Sequence, residues 1–128
     1  MTDDSPKTPV SVLICTKNEV RNLGACLASL SWADDCVVLD SFSDDDTVNI
    51  AVRGGARVVQ RKFDNFSAHK NWALDNIDFR HDWILIVDAD ERVTPELARE
   101  IAAMVTGSPP HHGYYLARQN WFAGVWMR

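Results

Sequence analysis

The stretch Trp83-Ile84-Leu85-Ile86-Val87-Asp88-Ala89-Asp90-Glu91 decides the fold. Its apolar run is short, rich in β-branched residues and without the gaps of a helical stripe. It therefore reads as a strand buried on both faces, as in a parallel sheet. The run leads straight into the carboxylates of Asp88, Asp90 and Glu91. If the chain stays extended there, Asp88 and Asp90 point the same way. Like charges at an apolar strand end repel and are poorly solvated. A divalent cation between them relieves both effects, and Mg²⁺ and Mn²⁺ prefer oxygen ligands. The plainer reading is a strand that ends in a solvated acidic turn, and this stretch alone does not separate the two.

Outward from that strand the same alternation repeats. Residues 10–15, Val-Ser-Val-Leu-Ile-Cys, predict a buried strand ending in the polar loop Thr16-Lys17-Asn18-Glu19. Val20, Leu23, Leu27 and Leu30 have helical spacing, with Asn18 as the expected N-cap and Glu19 at the positive end of the helix dipole. Residues 36–39 predict a second strand, which runs into Asp40-Ser41-Phe42-Ser43-Asp44-Asp45-Asp46-Thr47 and a short helix stopped by Gly54-Gly55. Residues 57–60 predict a third strand and 65–77 a helix. After the opening stretch, Thr94-Pro95-Glu96 is a helix start by cap, first-turn proline and first-turn acid. Leu97, Ile101, Met104 and Val105 form its apolar stripe, Gly107 to Pro110 end it, and Tyr114 to Ala117 predict a fifth strand. Strand and helix in alternation, joined by short loops, predict an α/β fold. The expected architecture is three-layer α/β/α with a mostly parallel, Rossmann-like sheet. Ligands of such sheets bind at the carboxyl ends of the strands, so the loops at 16–19, 40–46 and 88–91 are expected to share one rim.

The chain has 128 residues, enough for one domain with a sizeable core, and residues 1–8 read as a disordered lead-in. A net charge of −5 argues against general affinity for nucleic acid. Neither a membrane-spanning run nor a signal segment is recognisable, which predicts a cytoplasmic protein. Cys15, Cys26 and Cys36 are odd in number and lack Cys-x-x-Cys spacing, so they read as buried hydrophobes and not as disulfides or zinc ligands. No Gly-x-Gly-x-x-Gly or P-loop follows the first strand, which counts against a dinucleotide oxidoreductase or a P-loop enzyme. The absence of a glycine in Thr16 to Arg21 also ranks a nucleotidyltransferase low.

Four segments in order, Val12 to Glu19, Val37 to Thr47, His69 to Leu74 and Asp88 to Glu91, resemble the family 2 glycosyltransferases of GT-A fold. The wording is most similar to the bacterial branch with lipopolysaccharide-core β-glucosyltransferases, and the likeness spans roughly residues 9–105. The resemblance implies transfer, with inversion, from a nucleotide-sugar donor, in that family usually a UDP-sugar, to a saccharide or lipid-linked acceptor. It implies Mn²⁺ or Mg²⁺ held by Asp90, with Asp88 and Ala89 against the donor. Thr16, Lys17 and Glu19 would hold the nucleoside, Asp40 would bond the uracil ring, and Lys70 would neighbour the phosphates. A role at the inner face of the membrane in envelope polysaccharide synthesis follows from the same likeness.

Phe42 and Asp46 stand where many members have glycine, and Lys17 where many have tyrosine. The family's general base lies in the acceptor-binding half. No carboxylate follows Glu100, so no catalytic residue is assigned, and the chain reads as the donor-binding part of a larger enzyme. The alternative is a nucleotide-sugar-binding module without transfer activity. Asp44 to Asp46 read as helix caps and not as a second metal loop, and the four histidines are too scattered for a metal cluster. Trp121, Phe122 and Trp126 are expected to pack against a further C-terminal part. The alternatives are contact with a sugar acceptor or a membrane surface, and left uncovered they would form an apolar patch for association.

Overall fold

A computed structural model describes residues 6–107, 113–118 and 121–127, the last two segments as strand backbone alone. Ten elements follow in order: β1 (Thr8–Thr16), α1 (Leu23–Ala28), β2 (Ala33–Asp40), α2 (Thr47–Arg53), β3 (Arg57–Gln60), α3 (Phe66–Asn76), β4 (Trp83–Asp88), α4 (Pro95–Thr106), β5 (Gly113–Arg118) and β6 (Trp121–Met127). The sheet order is β3-β2-β1-β4-β6-β5. The first four strands in that order are parallel, and β6 pairs antiparallel with both β4 and β5. The opening stretch is therefore an interior strand, with β1 on one edge and β6 on the other.

Strand alternation sends successive side chains to opposite faces. Val12, Ile14, Val38, Leu85 and Val87 join α1, α2 and α4 in one apolar cluster. Leu13, Val37, Leu39 and Ile84 join α3 in the other. Helices thus cover both faces, as the unbroken apolar strands require. Caps set the helix starts: the Asn65 side chain accepts from the Ala68 amide, and Thr94 from that of Leu97. The stripe of α4 buries Leu97, Ile101 and Val105. Gly55, at φ 85°, turns the chain out of α2.

At the amino ends of the strands, buried Asp35 ties the layers together. It accepts from Ser11 Oγ (2.7 Å), the Arg80 amide (3.0 Å) and both Nε and Nη2 of Arg57 (3.1 and 2.9 Å). This knot lies at the opposite end of the sheet from the polar strand-end loops.

Several expectations are corrected. Asn18 does not cap a helix. It sits at φ 55° and α1 begins only at Leu23, because residues 16–19 are bonded to the loop after β2. Val20 is consequently exposed. Residues 121–127, for which no element is expected, form β6. Cys26 is buried as expected, but Cys15 and Cys36 are only half-buried; all three are free thiols. Residues 1–5, the His111-His112 loop and the side chains of Trp121, Phe122 and Trp126 lie outside the described residues.

Candidate functional site

The carboxyl ends of β2, β1 and β4 lie side by side, so their three loops form one rim. Two of these loops are laced together almost residue by residue. Thr16 Oγ1 donates to Asp40 Oδ1 (2.7 Å), and the Thr16 carbonyl accepts from the Ser41 amide (2.9 Å). Lys17 Nζ donates to the Phe42 carbonyl (2.8 Å). The Asn18 amide donates to Ser43 Oγ (2.8 Å), while its side chain accepts from the Asp44 amide (2.8 Å). The Glu19 amide donates to Thr47 Oγ1 (2.9 Å).

Asp40, expected to face a nucleobase, is 0% exposed. One of its oxygens accepts from Thr16 and Ser43 Oγ (2.7 and 2.6 Å), the other from the Ser43 amide and Gln60 Nε2 (2.9 and 3.4 Å). Burial alone would raise its pKa. The bonds from Ser43, Thr16 and Gln60 outweigh burial and hold the carboxyl below the usual range. Asp40 follows the alternation of Val38, toward the α1 and α2 face, and there it organises the two loops. In the acidic run beside it, Asp45 accepts from the Thr47 amide and hydroxyl. Asp46 instead bonds Asn49 and Arg53 (2.7 and 3.1 Å). Capping is thus the work of Asp45.

Ser41 and Asp88 continue the opposite alternation, toward the α3 face. Ser41 Oγ lies 3.4 Å from His69 Nε2, and His69 Nδ1 lies 2.9 Å from Arg61 Nη1. Because the guanidinium only donates, Nδ1 accepts and the ring proton sits on Nε2, toward Ser41. Arg61 is held in turn by both carboxylate oxygens of Asp64 (2.9 and 3.0 Å). Burial, followed by the Arg61 charge, lowers the His69 pKa, with Asp64 opposing, and keeps the ring neutral. Lys70, half-buried on α3, places Nζ 6.0 Å from the Phe66 ring centroid.

At β4 the chain does not stay extended through Asp90. The Glu91 amide donates to the Asp88 carbonyl (2.9 Å) and Glu91 Oε1 accepts from the Asp88 amide (2.8 Å), closing a turn. Ala89 is buried within it, while Asp88 and Asp90 are exposed. Arg92 clamps the turn from behind by donating to the carbonyls of Ala89 and Glu91 (3.1 and 2.8 Å). Partial desolvation at the end of the apolar strand, and then the Asp90 charge, raise the Asp88 pKa although the residue is exposed. Glu91 is also raised, first by burial and further by Asp88 and Asp90, against its bond from the Asp88 amide. Among the described residues no basic side chain forms an ion pair with Asp88 or Asp90.

This donor set fits a hard divalent cation in kind: accessible carboxylate oxygens whose mutual repulsion a cation removes. It does not form a cage. Among the described residues no group of three or more histidine, cysteine or acidic side chains is arranged around a metal position, so further oxygen ligands would come from water or an anionic ligand.

Reading the sequence singled out Thr16, Lys17, Glu19, Asp40, Lys70, Asp88, Ala89 and Asp90; the strand ends and loops of the rim carry all of them except Lys70, which stands on α3. It missed Arg61, Gln60 and Arg92, and the role of His69. Only Arg92, directly after the acidic motif, carried a local signal.

The sequence model for the family described as glycosyl transferase family 2 matches residues 11–120, a span containing all three rim loops and Lys70. The chain belongs to glycosyl transferase family 2. It is 38% identical over 93 residues to an uncharacterised glycosyltransferase of Rickettsia felis, covering 72% of this chain and 32% of the relative. It is 28% identical over 124 residues to the lipopolysaccharide core biosynthesis glycosyltransferase LpsC of Rhizobium meliloti, covering 93% of this chain and 45% of LpsC. The mannosyltransferase PcManGT of Pyrobaculum calidifontis, solved with GDP-Man and Mn²⁺, superposes with a TM-score of 0.70 at 19% identity, covering 88% of this chain and 36% of that one. This likeness places the family 2 chain in the GT-A fold. The chain spans about a third of the length of the rickettsial relatives it matches, 32% in the first case.

Proposed function

We propose that this glycosyl transferase family 2 chain binds a nucleotide-sugar donor across the rim, as the donor-binding part of a metal-dependent, inverting hexosyltransferase. The observation that carries this reading is the Asp88–Asp90 pair, uncompensated among the described residues and set beside the pre-bonded loops that follow β1 and β2 on one rim. In it, Asp90 holds Mn²⁺ or Mg²⁺, and Asp88 with the Ala89 backbone lies against the ribose and diphosphate. A bound metal would neutralise charge on the departing diphosphate. Thr16, Lys17 and Glu19 frame the nucleoside, and Lys70 approaches the phosphates from α3. Asp40 acts through the loop it holds. The LpsC likeness supports a saccharide acceptor of the bacterial envelope. No helix among the described residues is long and apolar enough to cross a membrane.

Calorimetry of UDP and GDP, with and without Mn²⁺, tests the reading on the wild-type chain and Asp90→Ala. Binding should weaken at least tenfold without metal, and the variant should lose the metal response. Equal affinity in all four conditions would refute the assignment of Asp90. Donor hydrolysis measured in parallel separates a transferase from a module that binds without turnover.

A further inference from the structure

Phe42 adopts φ 56°, a region that an aromatic L-residue rarely enters. Asn18, the other non-glycine residue at positive φ among those described, is of a type that tolerates it and uses its side chain to bond the facing loop. Phe42 has no such compensation. The residue is 53% exposed and belongs to neither apolar cluster. Yet its backbone is fixed on every side. The Ser41 amide is bonded to Thr16, the Phe42 carbonyl to Lys17 Nζ (2.8 Å), and the Ser43 amide to Asp40 (2.9 Å). A strained backbone held by its surroundings, presenting an unpacked flat ring at a binding rim, is a pattern found at ligand sites.

The position of Phe42 narrows what the ring meets. It follows β2, whereas Asp88 and Asp90 follow β4, with β1 between them. Adjacent strands lie about 4.8 Å apart, so the two ends of the rim are separated by roughly 10 Å. With the diphosphate end of a donor at β4, the nucleoside runs across β1 and its planar heterocycle reaches the end of β2. We infer that Phe42 is the stacking wall for the nucleobase of the donor, and that Lys17 is a positioning residue that holds it there. This rests on the donor-binding reading above. An aromatic face accepts any base, so Phe42 sets affinity for the nucleoside and not the choice among bases.

The test is calorimetry in Mn²⁺ of wild type, Phe42→Ala, Phe42→Leu and Phe42→Trp, each with UDP and with inorganic pyrophosphate. Alanine at this φ is no less strained than phenylalanine, and urea denaturation checks that each variant is folded. Phe42→Ala and Phe42→Leu should bind UDP roughly tenfold more weakly, in line with measured losses of base–aromatic stacking, and bind pyrophosphate unchanged. Phe42→Trp should bind UDP within about threefold of wild type, since it keeps a stacking face. Lys17→Met should shift UDP in the direction of Phe42→Ala, and the double variant should lose no more than Phe42→Ala alone. The inference is overturned if Phe42→Ala or Phe42→Leu binds UDP as wild type does, or if pyrophosphate weakens as much as UDP. If wild type binds neither ligand, the donor-binding reading itself falls; a null confined to the variants removes only the role of Phe42.

Discussion

Replacing Asp40 by asparagine tests whether the rim is organised from beneath. Asparagine keeps the shape of the side chain and one carbonyl oxygen. The position of Oδ2 meets two groups that only donate, the Ser43 amide and Gln60 Nε2. The carbonyl must therefore turn that way, leaving the new NH₂ toward Thr16 Oγ1 and Ser43 Oγ, hydroxyls that can rotate to accept. No donor need be orphaned, but charge-assisted bonds become neutral ones of about half the strength. With bonds to charged groups worth about 1.5–3 kcal/mol each, and some desolvation relieved, the net loss is about 2 kcal/mol. At an m-value of about 2 kcal/mol per molar, the urea midpoint at pH 7 falls by about 1 M. The sign of the pH dependence follows from the depressed carboxyl. Its contribution is complete above the unfolded carboxylate pKa of about 3.9 and is lost as pH falls through the lower folded value. Asparagine does not titrate there, so the gap between variant and wild type narrows on acidification. Equal midpoints at pH 7, or a gap that stays constant into the acid limb, would refute the reasoning.

Two further outcomes concern backbone and thiols. Gly55 lies at φ 85° with no atom within 4 Å of where a Cβ would sit, so Gly55→Ala meets strain and no clash; it should lose about 1 kcal/mol, read as a melting temperature lower by about 4 °C. Burial raises the Cys15 and Cys36 thiols to about 11 and Cys26 to about 12. At pH 8 a disulfide reagent should label the native chain about two orders of magnitude more slowly than the chain in urea, where a free thiol has a pKa near 8.5. Comparable rates would show that the thiols are solvated.

What the sequence made legible was whatever depends on neighbours in the chain. Trp83 to Val87 reads as an interior strand because nothing in it is charged and no polar residue interrupts it, and α4 reads as a helix because Thr94, Pro95 and Glu96 mark its start. The missed features depend on partners far along the chain. Asn18 looks like a cap until the Asp44 amide, 26 residues away, is seen to take its side chain. Strand β6 pairs with β4 from a segment whose aromatic run has no clear period. The face on which Asp40 lies was legible as well. Once Val38 is assigned to a face, alternation puts Asp40 on that face and Ser41 on the other, the one reached by His69. Which acid caps α2 was not open, since Asp45 and Asp46 differ only in loop geometry.

The two ends of the rim differ in kind, and that difference bears on how the site would work. At the β2 side the two loops are bonded to each other through Thr16, Lys17, Asn18, Asp40 and Ser43, and even a strained Phe42 is held in place. Such a surface is formed before any ligand arrives, so a nucleoside docking there would spend little free energy on ordering it. At the β4 side the backbone is equally fixed, by Arg92 and the Asp88–Glu91 turn, but the charges are not. The Asp88 pKa is raised by partial desolvation at the strand end and by Asp90, with no basic side chain among the described residues to offset it. Geometry is thus settled at both ends, while electrostatics is left open at one. On the proposed reading a cation and a diphosphate would bind there jointly, each supplying what the other lacks: the cation would relieve the carboxylates, and the phosphate would supply oxygen ligands that the Asp90 carboxylate alone does not. Affinity for the metal alone should then be weak, and affinity for the nucleotide should rise with metal concentration by the same factor that nucleotide raises affinity for the metal.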